Sequence, residues 1–341
     1  MKKSLIIALG AIALVACTKT SVSYEQTGEI GFAPVVRKNS TKAAVQGAVQ
    51  GTTFPEQNIK VFGYYDNSTK PGSSYDSAKF AVEYLPGVEF TKKTDGSTWT
   101  GKEHSYYWPK TGSMLFAGYS PVDFGNGKVT FSLGDNKFSV DTLVQPDFSA
   151  TKDLLYAGYT TSVLGGTAPM TFSHALSWVT IKAKAAAADQ IKITNIKFVG
   201  LAAKAFSAGL PEWTVSGTKE QLNVFAPTSA FAVPTVETLV ESNENCGLVF
   251  PQTLADAAEI VVSYEMNNGA GQWFAQAPFV KKLNSLKSGV DTINKWEAGK
   301  HYTYIINFSR IEGGSDSSNE ITIAPTVNNW ESVTADGISA N

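Results

Sequence analysis

The sequence predicts an all-β protein built as two β-sandwiches in tandem. Three observations carry this expectation. From residue 58 onward the chain shows short apolar runs of period two. Those runs are broken by Gly, Pro, Asn, Asp and Ser, as strands joined by turns are. No segment sustains the 3.6-residue apolar stripe of a helix. The length of 341 residues suits two domains, and 43% hydrophobic residues are ample for their cores.

The chain opens on a basic Met1-Lys2-Lys3, followed by an apolar run from residue 5 to residue 16. That run is shorter than the roughly 20 residues a membrane-spanning helix needs, and it ends in small residues as a signal peptide does. Leu14-Val15-Ala16-Cys17 resembles the lipobox of bacterial lipoproteins, in which the signal is cut before the cysteine and the thiol is lipidated. Residues 1–16 are accordingly expected to be a lipoprotein signal peptide, with Cys17 the lipidation site. This use of Cys17 leaves Cys246 without a disulfide partner, in a polar turn between Asn245 and Gly247.

Strand-like runs follow at residues 59–65, 114–119, 128–133, 154–159, 176–183 and 191–199. In the last of these the phase breaks between Ile193 and Ile196, which predicts a bulge or turn at Asn195. Ile260, Val262, Tyr264 and Met266 alternate with polar neighbours, as do Tyr302, Tyr304, Ile306 and Phe308. Ile321 and Ile323 form a final run. The alanine-rich residues 183–188 and the segment 254–258 lie between strands and are expected to be loops or single turns. Residues 162–169, rich in Gly and ending at Pro169, place the domain boundary near 165/166.

Composition excludes several functions. With 28 basic and 30 acidic residues the net charge is -2, so no electrostatic footprint for nucleic acid exists. There is no G-x-S-x-G elbow, phosphate-binding loop, H-E-x-x-H or paired C-x-x-C. Three histidines, His104, His174 and His301, are the candidates for a hydrolase, and nothing in their surroundings makes a triad. The expectation is a protein without catalytic residues, metal or cofactor. Tyr106-Tyr107-Trp108, the densest aromatic cluster, has two readings. It could stack on sugar rings at the surface of a glycan-binding lipoprotein, or its alternate members could pack into the sandwich. Arg37 and Arg310 are the two arginines of the chain, and Arg37 follows the apolar segment 30–36. An arginine-specific protease would find an accessible target there.

Several segments together resemble the fimbrillin family of Bacteroidetes, the subunits of type V pili. They are the lipobox at Cys17, Tyr106-Tyr107-Trp108-Pro109 leading into residues 114–121, and Asp153-Leu154-Leu155-Tyr156-Ala157. Next come Met170-Thr171-Phe172-Ser173-His174-Ala175-Leu176, Trp296-Glu297-Ala298-Gly299-Lys300-His301-Tyr302-Thr303-Tyr304, and the end from Ile321 to Asn328-Asn329-Trp330. The resemblance implies two tandem sandwiches of transthyretin-like topology, residues 38–165 and 166–341, behind a propeptide, residues 17–37. It further implies export as an outer-membrane lipoprotein, cutting between Arg37 and Lys38, and loss of an N-terminal strand within residues 24–36. A C-terminal strand of another subunit would fill the groove left behind, presenting Ile321, Ile323, Val327 and Trp330, with Val333 and Ile338 as further apolar residues. Partners would then be other fimbrial subunits and a surface receptor of unknown chemistry. Asp76-Ser77-Ala78, Asp141-Thr142-Leu143 and Asp291-Thr292-Ile293 resemble the short O-glycosylation motif of this bacterial group.

Overall fold

A computed structural model describes residues 28–36, 54, 58–66, 78–94, 98–125, 127–145, 148, 152–161, 164–226, 229–240, 247–310 and 319–329. Among them the chain is all-β apart from one 3-10 turn at Leu283–Ser285. The first half contributes β1 (Gly31–Val36), β2 (Ile59–Asp66), β3 (Val82–Lys92), β4 (Trp99–Gly101), β5 (Ser113–Ser120), β6 (Val129–Ser132), β7 (Lys137–Val144), β8 (Leu155–Thr161) and β9 (Thr167–His174). Seven of these close a barrel in the order β1-β4-β3-β2-β5-β8-β9. Closure depends on β1, which runs parallel to β9 on one side and antiparallel to β4 on the other. The all-β fold is the one expected from the sequence; within the first half, β1 joins the two edges that a sandwich leaves apart and closes the strands into a barrel.

The second half contributes β10 (Ser177–Ala185), β11 (Ile191–Val199), β12 (Leu201–Gly209), β13 (Glu212–Lys219) and β14 (Leu222–Phe225). The short strands β15 (Phe231–Ala232), β16 (Thr238–Leu239), β17 (Leu248–Val249) and β18 (Gln252–Thr253) follow. After β19 (Glu259–Asn267) come β20 (Trp273–Ala275), β21 (Phe279–Lys282), β22 (Lys287–Ser288), β23 (Asp291–Thr292) and β24 (Lys295–Trp296), then β25 (Lys300–Arg310) and β26 (Asn319–Asn329). One sheet has the order β16-β10-β25-β26, with β17 also on β10; another has β14-β11-β19-β20, with β15 and β21 beside β11 and β19. Their inner faces share a core that includes Val179, Ile181, Ile193, Phe198, Ile260, Trp296 and Tyr304. The buried Trp296 indole donates to the Tyr304 hydroxyl at 2.9 Å, so that neither polar group is left unpaired.

A third sheet, β13-β12-β7-β6, takes two strands from each half. Ala205 on β12 pairs with Leu143 on β7, and Lys204 with Val144. This sheet covers the outside of the barrel, where Ala117 and Tyr119 of β5 meet Phe138, Val140 and Leu143. β5 is therefore buried at every residue from Ser113 to Ser120, because one face looks into the barrel and the other into this second core. The boundary expected at 165/166 falls between β8 and β9, which are neighbours in the barrel wall. The predicted irregularity at Asn195 is present as a register shift between Ile193 and Asn195. Ala183 and Ala185, in the alanine-rich segment, continue β10 rather than forming a loop, since the ladder to β25 runs through Ala185. Pairing along a whole strand outweighs the weak helix preference of alanine.

Candidate functional site

The N-terminal strand and its seat form the most distinctive site of the molecule. Alternation along residues 30–36 sends Ile30, Phe32, Pro34 and Val36 inward, while Val35 faces solvent at 41% exposure. Ile30 and Phe32 are fully buried and Val36 nearly so. The Phe32 ring sits edge-on to Phe90 at 4.8 Å and to Phe116 at 5.0 Å, the favoured geometry for aromatic pairs. Ala168, Met170 and Phe172 of β9 and Trp99 of β4 complete the seat. Just before the strand, Glu29 accepts from Lys93 Nζ at 3.1 Å and from Ser105 Oγ at 2.9 Å. Gly28 takes a φ of +118°, a turn that favours glycine at the entry.

The backbone of β1 is held unequally. Six register pairs join it to β9, from Gly31–Thr167 to Val36–Phe172, but a single pair, Phe32–Trp99, joins it to β4. Two further bonds tie its approach to the segment before β5: Ile30 N–H donates to Tyr106 O at 2.6 Å, and Trp108 N–H donates to Gly28 O at 3.0 Å. Apolar side chains, each contributing roughly 1.5–3 kcal/mol on burial, add to the β9 ladder where the β4 side supplies little.

At the other end, β26 lies at the edge of its sheet and pairs with β25 over eleven positions, from Lys300–Asn329 to Arg310–Asn319. Ile321, Ile323 and Val327 are partly buried against the core of the second half, and Pro325 is buried between them. Proline is tolerated there because an edge strand can spare a ladder donor. The structure thus places three of the four expected donor residues on one face of one strand. Cys17, Arg37, Lys38, Trp330, Val333 and Ile338 lie outside the described residues, as does Cys246. β1 ends at Val36, one residue before Arg37.

The three aromatics of the candidate stacking platform are placed unequally. Trp108 is 1% exposed, its ring edge-on to Phe116 at 5.7 Å and its indole N–H bonded to Gly166 O at 2.9 Å. It offers no face to a sugar. Tyr106 and Tyr107 are half-buried; the Tyr106 ring lies over Phe90, and Tyr107 O accepts from the Tyr84 hydroxyl. Their segment forms the wall against which β1 is bonded. Sequence reasoning missed that role, and it also passed over Glu29 and Pro34.

The histidines do not converge. His104 is exposed, and His174 is buried with its Nδ1 at 2.8 Å from Asp153 Oδ2. His301 stacks on Trp178 at 3.5 Å, within 3.0 Å of Thr180 Oγ1. Burial, and then the charge of Lys182, push its pKa down to about 3. Among the described residues no group of three His, Cys, Asp or Glu side chains is placed to hold a metal. Of the three glycosylation-like motifs, Thr142 and Thr292 are exposed on β7 and β23, and Ser77 lies outside the described residues.

Comparison with known proteins follows the same lines. A family model described as fimbrillin-like matches residues 41–330. A solved fimbrial protein from Bacteroides vulgatus ATCC 8482 superposes with a TM-score of 0.54 at 16% identity, covering 88% of this chain and 99% of that one. A candidate cell-adhesion protein from Bacteroides ovatus ATCC 8483 gives a TM-score of 0.53 at 16% identity, covering 91% of this chain and 99% of that one. At such identities the two structures establish likeness of fold. No curated protein sequence matches the chain. With the family model spanning most of its length, the chain belongs to the fimbrillin-like family.

Proposed function

We propose that this chain is an adhesive, structural subunit of a type V-like pilus, exported as a lipoprotein through Cys17 and made competent by cutting after Arg37. Polymerisation then proceeds by strand exchange. Loss of β1 opens a groove between β4 and β9, and a C-terminal strand from another subunit fills it. Family membership supports a non-catalytic fimbrial protein acting at the cell surface. The observation that carries the strand-exchange reading is the position of β1: it is the closing strand of the barrel, and it buries Ile30, Phe32 and Val36, the last of which directly precedes Arg37 in sequence. An open edge lined by apolar pockets is a template for strand addition.

Treatment of an Arg310→Lys variant, in which Arg37 is the one arginine left, with an arginine-specific protease tests this. The expected outcome is a product beginning at Lys38 and a ladder of species that survive unheated detergent gels. A product that begins at Lys38 and stays monomeric overturns the proposal.

A further inference from the structure

The seat of β1 and the sequence of β26 answer one question together: whose strand enters the groove, and in which register. Residues 29–36 read Glu-Ile-Gly-Phe-Ala-Pro-Val-Val, and residues 320–327 read Glu-Ile-Thr-Ile-Ala-Pro-Thr-Val. Five of the eight positions are identical. Alternating apolar residues are common to strands, so the matches at Ile30/Ile321 and Val36/Val327 would mean little alone. Alternation does not call for the same glutamate before the run, nor for the same Ala-Pro within it.

From this coincidence we infer that residues 320–327 are an internal copy of β1, and that they dock in its register in the barrel of a second copy of this chain. The inference rests on the strand-exchange reading and adds to it the partner and the alignment. Each inward position of the donor meets a place already shaped for it. Ile321 takes the place of Ile30, Ile323 that of Phe32 against Phe90 and Phe116, Pro325 that of Pro34, and Val327 that of Val36. Glu320 comes to Lys93 and Ser105, which hold Glu29 in the uncut chain. Pro34 lies beyond the single β1–β4 pair at Phe32, where that side of the ladder makes no demand on its missing N–H, and Pro325 inherits the same freedom.

The outward positions agree as well. Val35 is exposed and pairs with the exposed Thr171, so Thr326 replaces it without loss of burial. Gly31 is the one crowded mismatch. A side chain there comes within 2.6 Å of the Thr98 Cγ2 methyl, which must turn aside to admit Thr322.

Disulfide trapping reads the register directly. A chain with Cys17→Ala, Cys246→Ser and Arg310→Lys leaves Arg37 as the protease target; Thr171→Cys and Thr326→Cys are added, and the cut protein is oxidised. Neighbouring strands bring such a pair within disulfide reach only when aligned. A covalent ladder joined through the two introduced thiols, absent when Thr322→Cys replaces Thr326→Cys, is the expected result. Detergent-resistant polymers that trap at Thr322→Cys, or at neither position, overturn the register while leaving strand exchange intact. A disulfide confined to monomers overturns the second copy as partner, and absence of any polymer removes the strand-exchange reading itself.

The match has a second test that needs no polymer. The uncut chain with Gly31→Thr, Phe32→Ile and Val35→Thr carries the donor's residues in the place of β1. We expect it to fold, with a thermal midpoint lowered by no more than about 10 °C. A chain that cannot fold, beside a single Phe32→Ile variant that can, shows that the barrel rejects the donor sequence.

Discussion

His301 shows how a part-buried histidine is held by its neighbours. It stacks on Trp178 and bonds to Thr180, and burial keeps it neutral, with a pKa of about 3 against the usual 6.5. The sign of the resulting pH dependence follows. In the unfolded chain the imidazole takes up a proton below pH 6.5, whereas the fold refuses it until about pH 3. Stability from this group is therefore complete above pH 6.5 and is lost as pH falls through that window, by up to roughly 1.4 kcal/mol per pH unit. His301→Gln should flatten the acid side of the thermal-midpoint profile relative to the parent; parallel profiles would show that His301 carries no such linkage. Three histidines could be counted in the sequence, but their partners could not. Asp153 and Trp178 lie far along the chain from His174 and His301 and are brought to them only by strand pairing.

At the scale of the element, β1 is a strand held by a full ladder on the β9 side, by buried side chains, and by only Phe32–Trp99 on the β4 side. A cut after Arg37 would by itself leave the buried residues of β1 in their pockets. The nicked protein should retain the strand until a competitor displaces it. Phe32→Ala, which removes the ring seated on Phe90 and Phe116, should weaken the seat by about 3–5 kcal/mol. Native mass spectrometry of the nicked protein should then find the excised peptide released from the variant and bound in the parent. Equal retention would mean that Phe32 does not hold the strand. The sequence showed which stretches alternate: the runs at 59–65, 114–119, 191–199, 260–266 and 302–308 correspond to β2, β5, β11, β19 and β25. It did not show β3, whose alternation is blurred by half-buried positions and by Pro86-Gly87, nor β12, which is rich in alanine. Long-range partners were hidden too, because the parallel pairings β1–β9 and β10–β25 join segments with no local signal of each other.

The molecule as a whole is bound together by the sheet that β7 and β12 share. Its strands come from both halves, and β9 belongs to the barrel although it lies beyond the expected boundary. A fragment ending at residue 165 would lack both β9 and the β12–β13 pair. Fragments 38–165 and 166–341 should therefore fail to fold when expressed separately, while the intact chain should give a single calorimetric transition. Two resolved transitions, or two well-folded fragments, would show that the halves are independent. The Gly-rich segment near 165 reads as a linker by composition, yet it leads straight into a barrel strand. Composition reports the turn and is silent on what the next strand pairs with.

The direction of β1 has a consequence for anything built from this chain. Because it runs parallel to β9, a strand that replaces it residue for residue must enter with the same heading. Each link would then join unlike surfaces, a barrel on one subunit and a tail on the next, so a two-fold pair is excluded and repetition yields an open line wherever the rotation per link does not close a ring. Such a line has polarity. One terminus ends on a vacant seat and the other on an unspent tail, and the machinery that starts a filament must recognise a different chemistry from the machinery that stops it.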